Sequence, residues 1–310
     1  MTGNAVRFMR SARLMTDRFT PQAHFAPPDA ARGTKPQAIF VPAGKKPPVF
    51  FVHIPKTSGS SWNTSLTAAY GKRNFHEHAE YALPQLLDGS VKPRKIDGVS
   101  GHIPLNNWRR YPGTDAYHVI TVLRDPWTRL VSHINWIDRF NHGKSLDGHG
   151  AQTEKLAHVA GLIAQTDFEN RASLRLFLEH THDKGLFSAF DNLQVRMLAW
   201  GSLRQMHDPA IYSMTSAAVQ GLKNCTGFGF CEDGDAFLSE VMTSLGVKAP
   251  APLPHDNRSS LRRVHVGMHI ARDVLHPWIA QDIHLYRRAR ALDAERRAET
   301  GVGVSFEKQL

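Results

Sequence analysis

Short apolar runs alternate with amphipathic stretches along most of the chain. The runs at 49–54 and 117–123 are rich in β-branched and aromatic residues, which is typical of strands buried in a parallel sheet. A third strand is predicted at 226–230. Each of the first two runs leads into a stretch with helical spacing of apolar residues, at 60–70 and 126–140. Strands that alternate with helices predict an α/β domain, in which helices flank a central parallel sheet in three layers.

Further amphipathic segments and polar loops divide the rest of the chain. Helical spacing recurs at 152–165, 170–180 and 188–200, whereas the Gly-rich stretch at 141–151 predicts a loop. From 20 to 48 the chain is rich in Pro, Ala and Gly, which favours a tether with few core residues. The pattern predicts three parts in order: a basic leader at 1–47, a folded domain at 48–295 and a tail at 296–310.

The chain has 310 residues, of which 38 are Lys or Arg and 28 are Asp or Glu, so its formal net charge is +10. Eight basic and two acidic side chains lie in the first 46 residues, which leaves a net charge of +4 for the other 264. The balance favours an anionic partner without choosing among nucleic acid, membrane, nucleotide and sulfated glycan. Two cysteines exclude a disulfide-stapled scaffold, and no apolar run reaches the roughly 18–20 residues that cross a bilayer.

The leader contains a short segment, 6–19, with the pattern of a basic amphipathic helix. Phe8, Ala12, Met15 and Phe19 recur at helical spacing, while the arginines fall on the opposite arc. Two interpretations are open: a helix that lies on an anionic membrane surface, or a tail that is helical only transiently. Because the segment lacks the apolar core of a secretory signal, we expect a cytoplasmic protein, with or without contact to the inner face of the membrane.

Small and hydroxyl-bearing residues follow the first predicted strand, where a helix should begin. Residues 53–62 are His-Ile-Pro-Lys-Thr-Ser-Gly-Ser-Ser-Trp. Successive backbone N–H groups of such a turn point at an anion, the helix dipole adds positive potential, and Lys56 supplies a mobile charge. The lysine precedes the glycine and no Gly-Lys-Ser/Thr follows, so this is not the loop of the nucleotide triphosphatases. A purely structural helix cap remains the alternative.

A second charged block follows the second predicted strand. Residues 124–132 are Arg-Asp-Pro-Trp-Thr-Arg-Leu-Val-Ser. Arg124 lies at the carboxyl edge of the strand, where a guanidinium group can bind phosphate, and Arg129 and Ser132 share a helix face. Taken alone, an Arg-Asp pair before a helix more often indicates a helix cap with a salt bridge.

Together the two blocks resemble the sulfotransferases that use PAPS (3′-phosphoadenosine 5′-phosphosulfate). That family carries Pro-Lys-Thr-Gly-Gly-Thr-Ser after its first strand and Arg-Asp-Pro-x-x-Arg-x-x-Ser after a later one. The chain looks like a bacterial-type member of the carbohydrate branch, which is related to heparan sulfate 2-O-sulfotransferase. Supporting similarities extend the resemblance over about 48–290, and they lie at 101–104 (Gly-His-Ile-Pro), 192–196 (Asn-Leu-Gln-Val-Arg), 227–246, 254–259 and 282–286.

The resemblance implies a P-loop-like three-layer fold and a set of donor-binding residues. The implied cradle for the 5′-phosphosulfate consists of Lys56, Thr57, Ser58, Gly59, Ser60 and Ser61, and the implied 3′-phosphate ligands are Arg124 and Ser132. Further candidates for contact with nucleotide or substrate are Arg129, Asn257, Arg258 and Arg262. The last three belong to a basic loop that either closes over the nucleotide or is simply solvated. Ser58 departs from the family's usual glycine, which strains the loop if this position needs a positive φ.

Sulfuryl transfer moves SO₃ in line between two oxygens, so it needs a cation for the departing phosphate oxygen and a base for the acceptor hydroxyl. Lys56 suits the first role. His102 suits the second, because imidazole titrates near neutral pH and this one follows Gly101 at a predicted strand end. The expected acceptor is a saccharide, as a glycan or a lipid-linked sugar, although a tyrosyl peptide or a small alcohol also presents a hydroxyl. No metal and no specific nucleic acid are expected.

Two other classes of function are compatible with parts of the sequence. A kinase-like or other nucleotide-binding protein would share the fold, but the missing Gly-Lys-Ser/Thr speaks against it. A non-catalytic polyanion binder would need only the basic charge. His76, His78 and Glu80 are residue types that bind metals, yet a His-x-His spacing alone is more typical of a solvated turn.

Overall fold

The computed structural model describes residues 38–144, 153–183, 190–199, 211–248, 252–253 and 262–301. Its strands are β1 Phe40–Val41, β2 Val49–Val52, β3 Phe75–His76, β4 Arg94–Lys95, β5 Gly98–Gly101, β6 His118–Leu123 and β7 Gly227–Phe230. Five of them form a parallel sheet in the order β3-β5-β2-β6-β7, and β1 pairs with β4, also in parallel. The predicted α/β class with a central parallel sheet is therefore confirmed.

Helices connect the strands and cover both faces of the sheet. They are α1 Gly59–Tyr70, α2 Leu83–Leu87, α3 Leu105–Trp108, α4 Pro126–Asp138, α5 Thr153–Gln165, α6 Arg171–Asp183, α7 Leu193–Ala199, α8 Ile211–Lys223, α9 Gly234–Ser244, α10 His269–Val274 and α11 Ala280–Thr300. The helix predicted at 126–140 ends at Asp138 and continues as a 3₁₀ turn, Arg139–His142. Its start follows the sequence signal, since Pro126 lies in the first turn and the Asp125 carboxylate accepts the N–H of Thr128 at 2.9 Å.

Burial of the strands on both faces explains their continuous apolar runs. On β2, Val49 and Phe51 pack with residues of α1 and α9, whereas Phe50 and Val52 pack with residues of α3, α7, α8 and α11. Phe50 stacks on the buried Trp108 with their ring centroids 3.7 Å apart. Complete burial of one such side chain stabilises the fold by about 1.5–3 kcal/mol. Alternation along the central strand thus holds the two helical layers to the sheet.

A separate helical cluster packs beside the sheet. Apolar side chains of α4, α5, α6 and α10 meet there, together with the segment around Trp278. Phe190 stacks on Trp278 with the two rings 4.9 Å apart and nearly parallel. Because α4 contributes Trp127 and Ile134 to this cluster, the helix that begins at the end of β6 is held firmly in place.

The folded region begins before the predicted boundary at Pro48. Ile39 and Phe40 are buried in the core, and the Asp97 carboxylate accepts the N–H groups of Gly44, Lys45 and Lys46 at 2.9–3.0 Å. Residues 38–47, which the sequence pattern assigned to the leader, thus contribute a strand and these contacts to the folded region. A two-residue strand is too short to show a periodicity, and the surrounding Pro and Gly residues favoured a tether.

The folded region also extends beyond the C-terminal boundary that the sequence predicts. Helix α11 runs through the predicted boundary at 295 and ends at Thr300, where Gly301 has a positive φ of 76°. No described helix is both long enough and apolar enough to cross a membrane. The predicted leader helix at 6–19 lies outside the described residues, as do most of the polar loop at 141–151 and all of 254–259.

Candidate functional site

Three neighbouring strands end together and carry the candidate residues to one edge of the sheet. His102 follows β5, the loop with Lys56 follows β2, and Arg124 follows β6. The chain fills β5 on one side of β2 before it crosses to β6 on the other side. A reversal of this kind opens a crevice at the carboxyl ends of parallel strands, which is where α/β proteins bind ligands. The strand order therefore brings together His102, Lys56 and Arg124, which are far apart in sequence.

The loop after β2 contains two residues in the left-handed region. Lys56 has a φ of 70° and Ser58 a φ of 63°. The condition under which Ser58 strains the loop, a positive φ at this position, is therefore met, whereas nothing in the sequence indicated the conformation of Lys56. These residues turn the chain into α1, whose first N–H groups, those of Gly59 and Ser60, have no carbonyl four residues earlier within the helix. The loop thus presents the positive end of a twelve-residue helix.

Gly59 is required by the ring of His53. A Cβ at position 59 would lie 1.8 Å from Cδ2 and Nε2 of His53, far inside any real contact. His53 is itself buried, stacks on Phe51 and leaves its Nδ1 without a hydrogen-bond partner. Burial is the largest cause that holds the pKa of His53 well below its ordinary value, so this imidazole is neutral. The glycine predicted to approach a phosphate also makes room for a histidine.

Four hydroxyl-bearing residues, Thr57, Ser58, Ser60 and Ser61, lie in and directly after the loop, and they differ in exposure. Thr57 is fully buried, and its hydroxyl donates to the carbonyl of Ile54 at 2.9 Å. A buried hydroxyl needs its partner inside the protein, and that of Thr57 has one there. Ser60 is exposed at the start of α1, and Ser61 is buried one residue later. Only Ser60 presents its side chain openly.

Lys56 lies among other cations. Burial, followed by the charges of Arg139, Arg124 and Lys144, lowers the pKa of Lys56 to about 8. Its Nζ lies 5.6 Å from the centroid of the Trp136 ring. Lys56 makes no ion pair with a carboxylate within the described ranges. A desolvated ammonium group surrounded by like charges is a site for an anion.

Arg124 is held by its main chain and by the β2 loop. The Gln194 side chain accepts the N–H of Arg124 at 2.9 Å and donates to its carbonyl at 3.0 Å. The guanidinium Nη1 donates to the carbonyl of Lys56 at 3.2 Å and so ties the two charged blocks together. Gln194 belongs to the Asn-Leu-Gln segment that the resemblance singled out, but its role as a clamp on Arg124 appears only in the folded chain.

Arg129 is part of the framework. Its side chain is fully buried, its Nη2 donates to the carbonyl of Phe190 at 3.0 Å, and its Nε lies 3.9 Å from the Asp282 carboxylate. Arg129 therefore contacts groups of the protein itself, whereas the sequence analysis counted it among the candidates for contact with nucleotide or substrate. Ser132 is half-buried on α4, and Arg262 is exposed. Asn257 and Arg258 lie outside the described residues.

His102 is oriented by the main chain around it. Its Nδ1 lies 2.6 Å from the carbonyl oxygen of His53, and since a carbonyl only accepts, Nδ1 carries the proton. The lone pair of the neutral ring is therefore on Nε2. Burial lowers the pKa of His102, although the Glu80 carboxylate acts in the opposite direction. The ring is thus an uncharged proton acceptor at neutral pH.

A cluster of three histidines was missed by the sequence analysis. The His53 and His102 rings are 4.3 Å apart, and His78 lies 5.8 Å from His102 and 6.1 Å from His53. Glu80 joins them, because its Oε2 accepts the N–H of His102 at 3.0 Å and its Oε1 lies 3.1 Å from Nδ1 of His78. The signal was present in the spacing of 76–80, but β3 is too short to predict from its pattern.

No protein-family model matches this chain, and no curated protein matches it. The edge of the sheet therefore has to be interpreted from its own geometry. It combines a half-buried lysine that has no carboxylate partner among the described residues, an arginine, a helix N-terminus and a neutral histidine that accepts a proton. Together these groups can bind a polyanion and remove a proton beside it.

Proposed function

We propose that the protein transfers a sulfuryl group from PAPS to a hydroxyl group, most favourably on a saccharide. The observation that carries this proposal is the buried ammonium group of Lys56, which has three cations around it and an anion-binding helix end beside it. A ligand with several negative charges would relieve the repulsion among those cations. The resemblance in the two charged blocks narrows that ligand to a phosphosulfate nucleotide.

The donor would bind with its two phosphate groups on two strand ends. The 5′-phosphosulfate would accept from the N–H groups of Gly59 and Ser60 and lie against Lys56. The 3′-phosphate would lie against Arg124 and Ser132, at the end of β6. This arrangement corresponds to a P-loop-like fold in which the lysine comes before the glycine. The hydrogen bond from Arg124 to the carbonyl of Lys56 supports it, because the two halves of the site are already joined.

The reaction would exchange one sulfur–oxygen bond for another. The acceptor oxygen forms a bond to sulfur while the bond from sulfur to the bridging phosphate oxygen breaks, and that oxygen keeps the electron pair. Lys56 stabilises the charge on the leaving oxygen. His102 takes the hydroxyl proton on Nε2, since its Nδ1 is occupied by the His53 carbonyl.

An exposed aromatic ring beside His78 supports a saccharide acceptor. The side chain of Tyr81 is 60% exposed, and its ring lies 5.8 Å from His78, which in turn lies 5.8 Å from His102. An aromatic face with a polar tip suits the apolar face and hydroxyls of a sugar ring. Tyr81 would hold the acceptor close to the base.

Ligand-induced stabilisation tests the donor class. Adenosine 3′,5′-bisphosphate without magnesium should raise the melting temperature, since a ligand at 100 times its dissociation constant adds about 2.7 kcal/mol. The shift should disappear in Lys56→Ala and persist in Lys155→Ala, which alters an exposed lysine on α5. A response to ATP with magnesium alone would overturn the proposal in favour of a kinase-like protein. Steeply salt-dependent binding to DNA of any sequence would favour a non-catalytic polyanion binder.

Transfer from labelled PAPS tests the reaction. Incubation with a fractionated glycan and lipid extract should label a hydroxyl-bearing product. His102→Ala should abolish labelling while the bisphosphate still stabilises the variant, because the base and the donor site are separate groups. Near-normal turnover in His102→Ala would remove this histidine as the base.

A further inference from the structure

The ends of β3 and β5 bring three metal-ligating side chains close together. His78 and Glu80 follow β3, and His102 follows the neighbouring strand β5. Each offers one ligand atom, and the three atoms lie within 4.8 Å of one another. Within the described ranges, this is the group of three His, Cys, Asp or Glu side chains that meets this criterion. The residues proposed to bind the donor follow β2 and β6, on the other side of β5 from β3, and are not part of this group.

We propose that His78, Glu80 and His102 bind a divalent transition-metal ion, with Zn²⁺ as the ion that suits them best. Two imidazoles and one carboxylate form a recurrent three-ligand set for zinc, in which a fourth position stays open. The same donors also suit Co²⁺ and Ni²⁺, and they disfavour Mg²⁺ and Ca²⁺, which prefer oxygen ligands. The proposal does not depend on sulfuryl transfer.

The surroundings of the three ligands fix two of them in place. The His53 carbonyl accepts from Nδ1 of His102 at 2.6 Å, which is the outer hydrogen bond that metal-bound histidines make. It leaves Nε2 as the ligand atom. Glu80 is held by the N–H of His102 at 3.0 Å. Gly101 allows this approach, since a Cβ there would lie 2.5 Å from Oε2 of Glu80.

The third ligand, His78, is the exposed member of the set. The side chain of His78 is 43% exposed, whereas that of Glu80 is 9% exposed. His78 can therefore turn toward an incoming ion while the other two ligands stay fixed.

A metal ion at this site would bind Nε2 of His102, the atom that accepts the proton in the proposed transfer. Zinc on Nε2 of His102 blocks its use as a proton acceptor, so the metal would inhibit the transfer. Bisphosphate binding at Lys56 and Arg124 would continue. This consequence rests on the proposed function, whereas metal binding itself does not.

Cobalt spectroscopy tests the site directly. The full chain, stripped with a chelator, should bind one Co²⁺ with visible d–d absorption bands, and Zn²⁺ should displace it. His78→Ala and Glu80→Gln should each weaken binding by at least about tenfold. His158→Ala, which removes an exposed histidine from α5, should leave binding unchanged. Equal binding in His78→Ala, Glu80→Gln and the unaltered protein, or no cobalt band in any of them, would overturn the proposal.

Folding is controlled within the same set of variants. Gln at position 80 retains an oxygen that can accept from the N–H of His102, and His78 lies at the surface, so neither change should lower the melting temperature appreciably. Thermal unfolding of the chelated proteins checks this. If zinc binds and transfer proceeds at full rate, the assignment of His102 as base fails while the metal site stands. If no transfer occurs under any condition, the cobalt spectrum still decides the metal site.

Discussion

Two buried cations in this protein are treated in opposite ways. Arg129 is fully enclosed, and it meets the Phe190 carbonyl and the Asp282 carboxylate. Lys56 is also removed from water, but its charged neighbours are Arg139, Arg124 and Lys144. Both belong to blocks that follow strands, and both were candidates for ligand binding. Only the contacts distinguish Arg129, whose charge is paired within the fold, from Lys56, whose charged neighbours are cations.

The surroundings of Arg129 form a reciprocal set of helix caps. Asn192 accepts the N–H groups of Gln281 and Asp282 at the start of α11. Asp282 in turn accepts the N–H groups of Gln194 and Val195 at the start of α7. Each helix thus supplies the cap of the other, and the donors that a helix start leaves unpaired are used.

The strand-end site around Lys56 differs from the cap region in its charges. Positive φ occurs in both regions, at Lys56 and Ser58 in the site and at Asn192 beside the caps. Each region also holds a buried nitrogen without a hydrogen-bond partner among the described residues, Nδ1 of His53 and Nε of Arg129. The like charges around Lys56 are a cost to the folded state that a bound anion would offset. The cap region thus stabilises the fold, whereas the like charges around Lys56 oppose it, and the proposed donor would offset that repulsion.

The largest expected effect is on the cap region. Asp282→Ala should lower the free energy of unfolding by about 3–5 kcal/mol, because it leaves the Arg129 cation buried and unpaired. Arg129→Met should cost less, since burial raises the pKa of Asp282 to about 6 and the remaining carboxyl group can take up a proton. Urea unfolding measures both, with the exposed Asp115→Ala as control. An equal decrease in the free energy of unfolding for Asp282→Ala and Arg129→Met would contradict the assignment of Asp282 as the partner that the buried Arg129 charge requires.

Lys56→Met should have the opposite effect on stability. Transfer should fall by about 10²–10³-fold, the usual cost of losing one group that stabilises developing charge. The free energy of unfolding should rise by about 1–3 kcal/mol, since the depressed pKa of the buried Lys56 measures an unfavourable charge. Lys155→Met on α5 should change neither quantity. A less stable Lys56→Met protein would place Lys56 in the framework with Arg129.

The pH dependence of kcat/KM should also report the ionisation of Lys56. The pKa of Lys56 is lowered to about 8, so the ammonium group is present below that pH and is lost above it. The kcat/KM for the donor should therefore fall about tenfold per pH unit above about 8, since kcat/KM follows the free protein. Lys56→Arg should lack this limb, because a guanidinium group keeps its charge. A flat profile up to pH 10 in the unaltered protein would contradict the assignment.

The smallest expected effect concerns the strained loop. Ser58→Gly should be more stable than Ser58→Ala by about 1 kcal/mol, because only glycine adopts a φ of 63° without steric cost. Both variants lose the contact of 2.7 Å between Ser58 Oγ and Cys231 Sγ, so this contact does not enter the comparison. Thermal unfolding of the two variants gives the difference. Equal melting temperatures would show that the loop relaxes.

Much of the sheet and of the site could be predicted because their signals are local. The apolar runs predicted β2, β6 and β7, and the block after β2 predicted a helix start. The two-residue strands β1, β3 and β4 could not be predicted, because so short a segment has no period. The burial of Thr57 was missed for a related reason, since a hydroxyl in a turn has the same sequence signal whether it faces inward or outward.

The sequence by itself determined the alternation of strands and helices and placed charged blocks after the strands, since both depend on neighbours within a few residues. Only the tertiary structure decided which charges find partners. Arg129 meets Asp282 across 153 positions, and Glu80 meets His102 across a pair of strands, because the order β3-β5-β2-β6-β7 brings them together. Strand order depends on packing between distant segments, and no local pattern contains it.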